Sequence, residues 1–302
     1  MKYRIVHTTR YLSSEPISVG HNEAWLTPRP SPYQTPLSHA LTIAPEPSIS
    51  STRIDYFGNS VSQFSFNQGY QTLTVTAVNE VEVKIPSRLQ AFDPPWEAVA
   101  AALGAYDTLD DLAAYEFAFD SPRCKIREEF ADYARGSFTR GRPILEAAMH
   151  LMRRIHEEFR YDTQATNVMT GVDLVFKQKR GVCQDFSHLM ISMLRSLGLA
   201  ASYVSGYLRT TPPPGKPRLV GADASHAWVS LYGGPLGWID LDPTNNKLTD
   251  TDHITLARGR DYGDVAPLRG VYIGGGRHDL RVSVDVSEIT TEKAETTGTG
   301  IA

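Results

Sequence analysis

Cys183 is the residue whose type and position most favour covalent chemistry in this 302-residue chain. It follows the segment 180–182, Arg-Gly-Val, and lies in the first turn of a helix predicted over residues 183–197. The unpaired amides and positive end of a helix N-terminus lower a thiol pKa, and the thiolate is the nucleophilic form. Taken alone, such a cysteine is better interpreted as a small core residue, because free cysteines are commonly buried and inert.

A histidine and an aspartate further along the chain supply the partners that a nucleophilic cysteine needs. His226 opens an apolar run that ends at Tyr232, and Asp242 closes the following run, which begins at Gly237. If the turn at 233–235, Gly-Gly-Pro, pairs these runs as antiparallel strands, His226 and Asp242 lie within hydrogen-bond reach. A cysteine, a histidine and an aspartate in this layout are the nucleophile, base and orienting group of acyl transfer.

A metal site is the rival interpretation of the same residue types, because Cys183, His188, His226 and Asp242 can all bind a cation. Five residues along a helix turn His188 about 140° away from Cys183. Asp185 is better placed to accept first-turn amides or to pair with an arginine. We therefore predict no metal site and no cofactor.

The remaining candidate residues carry weaker signals. Gln184, next to the cysteine, is predicted to make a polar contact with substrate, whereas Cys124 has no comparable context and is predicted to be structural. Trp228 and Trp238 are expected to be core aromatics. Four further histidines lack a partner at a useful spacing and are expected to be solvated or core residues: His150, His156, His253 and His278.

Short alternating polar and apolar runs dominate the first part of the chain. Leu73, Val75 and Ala77 alternate with threonines, and the segment 57–60, Phe-Gly-Asn-Ser, is a hairpin signal between two such runs. Strands at this spacing predict a β-sandwich over residues 1–86.

The composition changes near residue 86 and becomes typical of helices. Helices are predicted at about 96–104, 108–116, 122–135 and 143–159, ahead of the helix that carries Cys183. Apolar runs after that helix predict strands, so residues 87–287 are predicted to form an α+β core with helices packed on an antiparallel sheet. The small polar residues 288–302 are predicted to be a flexible tail.

Charge and cysteine content limit the classes of partner. Lys and Arg number 30 against 34 Asp and Glu, which gives a net charge of −4 and argues against a nucleic-acid-binding surface. The sequence contains neither a signal-peptide pattern nor a run of 18 apolar residues, so no membrane partner is predicted. Two cysteines are too few for a disulfide framework, and a reducing cytoplasm is the predicted location.

Three segments resemble the core of the transglutaminase-like superfamily: RGVCQDFSHLMISMLRSLGLAASYVSGYL, DASHAWVSLYG and GWIDLDPTNN. The resemblance covers about residues 150–246, and the flanks are similar to those of the bacterial branch, often labelled transglutaminase-like cysteine proteases. It implies papain-like chemistry with Cys183 as nucleophile, His226 as general base and acid, and Asp242 as orienting carboxylate. The sequence has no Asp-x-Asp-x-Asp-Gly loop, so the calcium dependence of the large animal enzymes is not expected.

The expected reaction is attack of the Cys183 thiolate on an amide carbonyl of a peptide or protein substrate. Water would then hydrolyse the acyl-enzyme, whereas an amine would give transamidation, and the bacterial resemblance favours hydrolysis. A catalytically inactive interaction module is the third alternative, against which the presence of all three residue types argues. The β-rich first part is expected to shape access to the site.

Overall fold

The first strand, β1 (Lys2–Ala24), is 23 residues long and organises the N-terminal sheet. The computed structural model describes residues 1–85, 92–106, 108–210 and 224–289. Four strands follow: β2 (Gln34–Ala44), β3 (Ile49–Ile54), β4 (Ser60–Phe66) and β5 (Tyr70–Val83). All pairs are antiparallel, in the order β2-β5-β1-β4-β3: β5 and β4 pair with β1, and β2 and β3 extend the sheet on either side. Leu73, Val75 and Ala77 are buried, so the alternation correctly predicts the buried face of β5.

Two strands from the end of the chain complete this sheet. They are β13 (Leu268–Gly274) and β14 (His278–Glu288), which pair in tandem with the second and first halves of β1. Gly274, Gly275 and Gly276 between them all have positive φ, a conformation that glycine adopts without strain. In sequence these strands lie within the predicted core, but they pair with the N-terminal sheet. The predicted domain boundaries at residues 86 and 287 therefore remain predictions about which parts of the chain fold independently. Residue 86 and the tail beyond residue 289 lie outside the described residues.

Six helices of the described part lie between the two sheets in sequence, as predicted, and a seventh short helix follows the second sheet. Their bounds are α1 (Trp96–Ala105), α2 (Leu109–Tyr115), α3 (Glu128–Arg135), α4 (Ile144–Glu158), α5 (Val172–Gln178), α6 (Cys183–Arg195) and α7 (Tyr262–Val265). The prediction for the third was wrong at its start. It begins at Glu128 rather than at residue 122, and the hydroxyl of Ser121, just before the predicted start, accepts a hydrogen bond of 3.2 Å from the buried Arg195 guanidinium. None of the helices in the described part is both long and apolar enough to cross a membrane.

A second antiparallel sheet completes the α+β core and confirms the predicted fold class. Its strands are β8 (Ala201–Leu208), β9 (Ala224–Tyr232), β10 (Trp238–Asp242), β11 (Lys247–Leu248) and β12 (His253–Gly259), in the order β11-β10-β9-β8-β12. A short parallel pair, β6 (Arg160–Tyr161) and β7 (Arg180–Gly181), precedes α6. Helix α6 packs against β8 and β9 and also against α3 and α5, so it is buried along most of its length.

Candidate active site

Cys183 is the first residue of α6, as predicted, and its environment is built by the turn that leads into the helix. The preceding residue, Val182, is extended and donates its amide to the Asp185 carboxylate at 2.8 Å. That carboxylate also accepts a 2.6 Å hydrogen bond from Thr166. Asp185 folds back so closely over Gly181 that a Cβ there would lie 2.7 Å from its Oδ2. Glycine at this position therefore allows the tight entry that leaves Cys183 at the helix start.

His226 and Asp242 lie on adjacent antiparallel strands, which confirms the predicted pairing. The register places Leu241 opposite Val229, and His226 Nε2 lies 2.8 Å from Asp242 Oδ2. On the other side of β9, His226 pairs with Gly206 of β8. The two strands hold the imidazole at the edge of the core, where it is only 8% exposed.

The charges of the two groups are set by their contacts. Burial by itself lowers the pKa of His226, but hydrogen bonds to Asp242 and Cys183, together with their charges, raise it to about 9. Burial would raise the pKa of Asp242, yet hydrogen bonds from His226 and His253 hold it well below its ordinary value. At neutral pH the pair is therefore an imidazolium and a carboxylate. Because Nε2 of His226 contacts Asp242, Nδ1 is the nitrogen left for the Cys183 thiol.

Asp242 is fully buried and is held by five hydrogen bonds. Its Oδ2 accepts from His226, from His253 Nε2 at 3.2 Å and from Asn245 Nδ2 at 2.7 Å. Its Oδ1 accepts the backbone amides of Thr244 at 3.0 Å and Asn245 at 3.2 Å. These contacts leave the carboxylate one orientation, and that orientation fixes the ring of His226.

His253 is the site residue that the sequence reasoning missed. It was expected to lack a partner, but its two ring nitrogens lie 3.2 Å from Asp242 and 3.0 Å from Asp250. It begins β12, which pairs with β8 at the edge of the sheet, three strands from the β10 strand that carries Asp242. The spacing from Asp250 to His253 was the one local signal, and nothing in the sequence connects either residue to Asp242.

The other candidates are separated from the thiol. His188 is buried and accepts the Tyr262 amide at 3.1 Å. Within the described residues, the ligand atoms of His226, Asp242 and His253 lie within 4.8 Å of one another, close enough to hold a cation. Their nitrogen-to-oxygen distances are those of hydrogen bonds, so a metal would have to displace both N–H protons. Cys124 is buried, and burial raises its pKa to about 12, which leaves it a neutral thiol.

A cleft of about 450 Å³ gives access to the thiol. It is lined by Cys183, Gln184 and His226 from the core and by residues of β1 and β14 from the N-terminal sheet. The cleft thus lies between the N-terminal sheet and the core. The role of Gln184 as a substrate contact remains a prediction, although its position in the cleft is compatible with it.

Two family models match the chain. The bacterial transglutaminase-like N-terminal region matches residues 3–82, and the transglutaminase-like superfamily matches residues 131–243, which include Cys183, His226 and Asp242. Uncharacterized protein Rv2569c of Mycobacterium tuberculosis is 42% identical over 94% of this chain and 92% of its own length. The chain therefore belongs to the transglutaminase-like superfamily, as the segments around the three residues predicted.

One solved structure is similar to this chain in fold, and one further protein is similar to part of its sequence. A solved structure described as "a Putative Cysteine Protease from Cytophaga hutchinsonii" superposes with a TM-score of 0.76 over 97% of this chain and 92% of its own. Its sequence identity is 20%, so this likeness concerns the fold alone. The protein-glutamine gamma-glutamyltransferase of Pseudomonas aeruginosa is 32% identical over 152 residues, 47% of this chain and 23% of that protein.

Proposed function

We propose that this protein is a cysteine-dependent acyl-transfer enzyme that hydrolyses amide bonds of peptides or proteins. The observation that carries the proposal is the position of His226, which hydrogen-bonds Asp242 and interacts with the Cys183 thiol in an open cleft. A buried imidazolium between a carboxylate and a thiol can stabilise a thiolate and then give up its proton.

The proposed reaction uses each of these groups in turn. The Cys183 sulfur attacks the amide carbonyl carbon, and the oxyanion lies near the Cys183 backbone amide at the start of α6. His226 donates its proton to the departing amine as the carbon–nitrogen bond breaks. The neutral imidazole then removes a proton from water, which attacks the thioester and releases the acid. Asp242 keeps the ring in one orientation and stabilises its charged form throughout.

Transamidation is the second candidate, and one specific finding favours it. The partial match in Pseudomonas aeruginosa carries the name protein-glutamine gamma-glutamyltransferase. In that case an amine would replace water in the second half of the reaction. We favour hydrolysis because it requires a single substrate pocket beside Cys183. The alternative of an inactive interaction module predicts neither reaction.

A peptide library assay separates these alternatives. The protein is incubated with the library in EDTA, with and without cadaverine, and products are identified by mass spectrometry. We expect free acids under both conditions, whereas a majority of cadaverine adducts would establish transamidation. Activity that requires added calcium would contradict the metal-independent mechanism, and a complete lack of turnover would favour the interaction module.

The matched controls are two cysteine substitutions. Cys183→Ala should abolish turnover, while Cys124→Ala should retain it because Cys124 is buried away from the cleft. Equal turnover by the Cys183→Ala variant would refute the assignment of the nucleophile. The cytoplasmic location and the absence of a nucleic-acid partner remain predictions, with the two free cysteines as support for a reducing compartment.

A further inference from the structure

Three cross-strand pairs on the N-terminal sheet face the candidate nucleophile. In the register of β1 and β14, Tyr11 lies opposite Leu280, Thr9 opposite Val282, and His7 opposite Val284. Directly opposed residues of an antiparallel pair point to the same face of the sheet. All six side chains line the cleft that contains Cys183 and His226. We refer to Tyr11, Leu280 and Val282 as the apolar wall.

The apolar wall is the uncovered end of a stripe that is otherwise buried. Val284 and Val286 belong to the same face of β14 and are 2% and 0% exposed, because they pack into the core. Leu280 and Val282 continue the stripe into the cleft and are 52% and 51% exposed. A ligand in the cleft would remove this apolar surface from water, which is favourable in proportion to the area covered.

Apart from the His226 imidazolium, the described residues that line the cleft offer no charged group to a charged side chain. Of the described residues that line it, none is Asp, Glu, Lys or Arg. Both ring nitrogens of His7 are hydrogen-bonded within the protein, to Tyr207 at 2.7 Å and to Thr9 at 2.9 Å. Burial lowers its pKa to about 4, so it is neutral at pH 7. A charged substrate group held against this wall would lose water without gaining a partner.

We propose that the apolar wall is a specificity site, which binds an uncharged, apolar side chain of the peptide substrate next to the amide that Cys183 attacks. This inference rests on the proposed function, and it gives the N-terminal sheet a role in the reaction. We expect the side chains bound at this site to resemble those of leucine or phenylalanine. The preference arises from apolar area on one side of the cleft and from the lack of a counter-charge.

The test measures recognition through alkylation of Cys183 and needs no turnover. Matched peptides carrying Leu, Phe, Asp or Lys are prepared as chloromethyl ketones and as chloroacetyl amides. These place the varied residue on the acyl or the amine side of the attacked carbon. The thiolate displaces chloride in both series, and each rate is divided by that of iodoacetamide, which has no side chain. We expect the Leu and Phe probes of at least one series to react about tenfold faster than the Asp and Lys probes.

Charge placed on the wall should change the preference. In Leu280→Lys the Asp probe should gain at least about tenfold relative to the Leu probe. Val282→Lys serves as the second variant should the first fold poorly. The matched control is Ile273→Lys, at a residue that is 66% exposed on β13 of the same sheet edge and does not line the cleft. This control should keep the wild-type preference.

These labelling experiments distinguish a failure of the apolar specificity site from a failure of the proposed enzymatic function. Selective iodoacetamide labelling of Cys183 over Cys124, with equal rates for all four side chains or a preference for a charged one, refutes the apolar site and leaves the enzyme assignment intact. A preference that stays unchanged in both lysine variants also refutes it. Failure of iodoacetamide to label Cys183 selectively would instead overturn the proposed function itself.

Discussion

Replacement of Asp242 by asparagine removes the negative charge that faces His226. The pKa of His226 is about 9 against an ordinary 6.5, a difference that corresponds to about 3 kcal/mol in favour of the imidazolium. Burial opposes this state and is the largest single effect, so loss of the Asp242 charge should let the pKa fall below neutrality. If the imidazolium is the acid that protonates the leaving amine, a pKa near the ordinary 6.5 leaves about one-quarter of it charged at pH 7, which corresponds to a loss of about fourfold in rate.

The same substitution has a separate effect on stability. An asparagine has one acceptor oxygen, whereas Asp242 Oδ1 accepts two backbone amides and Oδ2 accepts three side-chain donors. Either orientation of the amide leaves one set of buried donors without its acceptor, which costs about 1–3 kcal/mol of unfolding free energy. Activity is therefore measured well below the melting temperature, where the variant remains folded.

Two measurements test this prediction. Histidine ring signals are titrated by NMR in the wild type and in Asp242→Asn, and hydrolysis is followed over pH 5 to 10. We expect the pKa of His226 to move from near 9 to below 7 and the rate at pH 7 to fall. The control is Asp240→Asn on the same strand, because Asp240 hydrogen-bonds Trp228 Nε1 at 3.1 Å and does not contact His226. An unchanged His226 titration in Asp242→Asn, or an equal shift in the control, would refute the reasoning.

Four further predictions follow from the same contacts. Cys183→Ala should abolish hydrolysis with a melting temperature close to that of the wild type, and a large loss of stability would indicate a structural cysteine. His253→Phe removes a donor to Asp242 and should lower both the unfolding free energy, by about 2 kcal/mol, and the rate of hydrolysis. His253→Gln keeps an N–H and should recover part of both. If the Phe and Gln variants lose stability and rate to the same extent, His253 does not act as a donor to Asp242. Gly206→Ala should cost about 1–3 kcal/mol in denaturant unfolding, because a Cβ would collide with the Ile254 carbonyl and the Trp228 ring; unchanged stability would show that the strands can shift. The raised pKa of His226 stabilises the fold fully below about pH 6.5, and this contribution is lost as the pH rises through about 9. The lowered pKa of Asp242 stabilises the fold fully above about pH 4, and this contribution is lost in acid. The melting temperature should therefore be highest between about pH 4 and 6.5, and this maximum should flatten in Asp242→Asn.

Local sequence patterns are sufficient to predict the parts of the site that local geometry controls. Gly181 before the helix and apolar residues at intervals of three and four along it predict that Cys183 lies at a helix start. A short turn between two apolar runs placed His226 and Asp242 side by side, because consecutive strands joined by a few residues pair with their neighbour. Alternation in β5 identified its buried face, since period two is a property of the strand itself.

The elements that are distant in sequence and meet at the site could not be predicted from local patterns. His253 contacts Asp242 although β12 pairs with β8 and not with β10, and no residue pattern in β12 specifies that partner. Likewise, β14 closes the cleft by pairing with β1, with Tyr3 opposite Glu288. Side-chain periodicity determines the face that a strand buries, but its hydrogen-bonding edge carries the same N–H and C=O groups in every sequence. The partner of an edge is therefore selected by the packing of the whole chain, and with it the second histidine and the apolar wall.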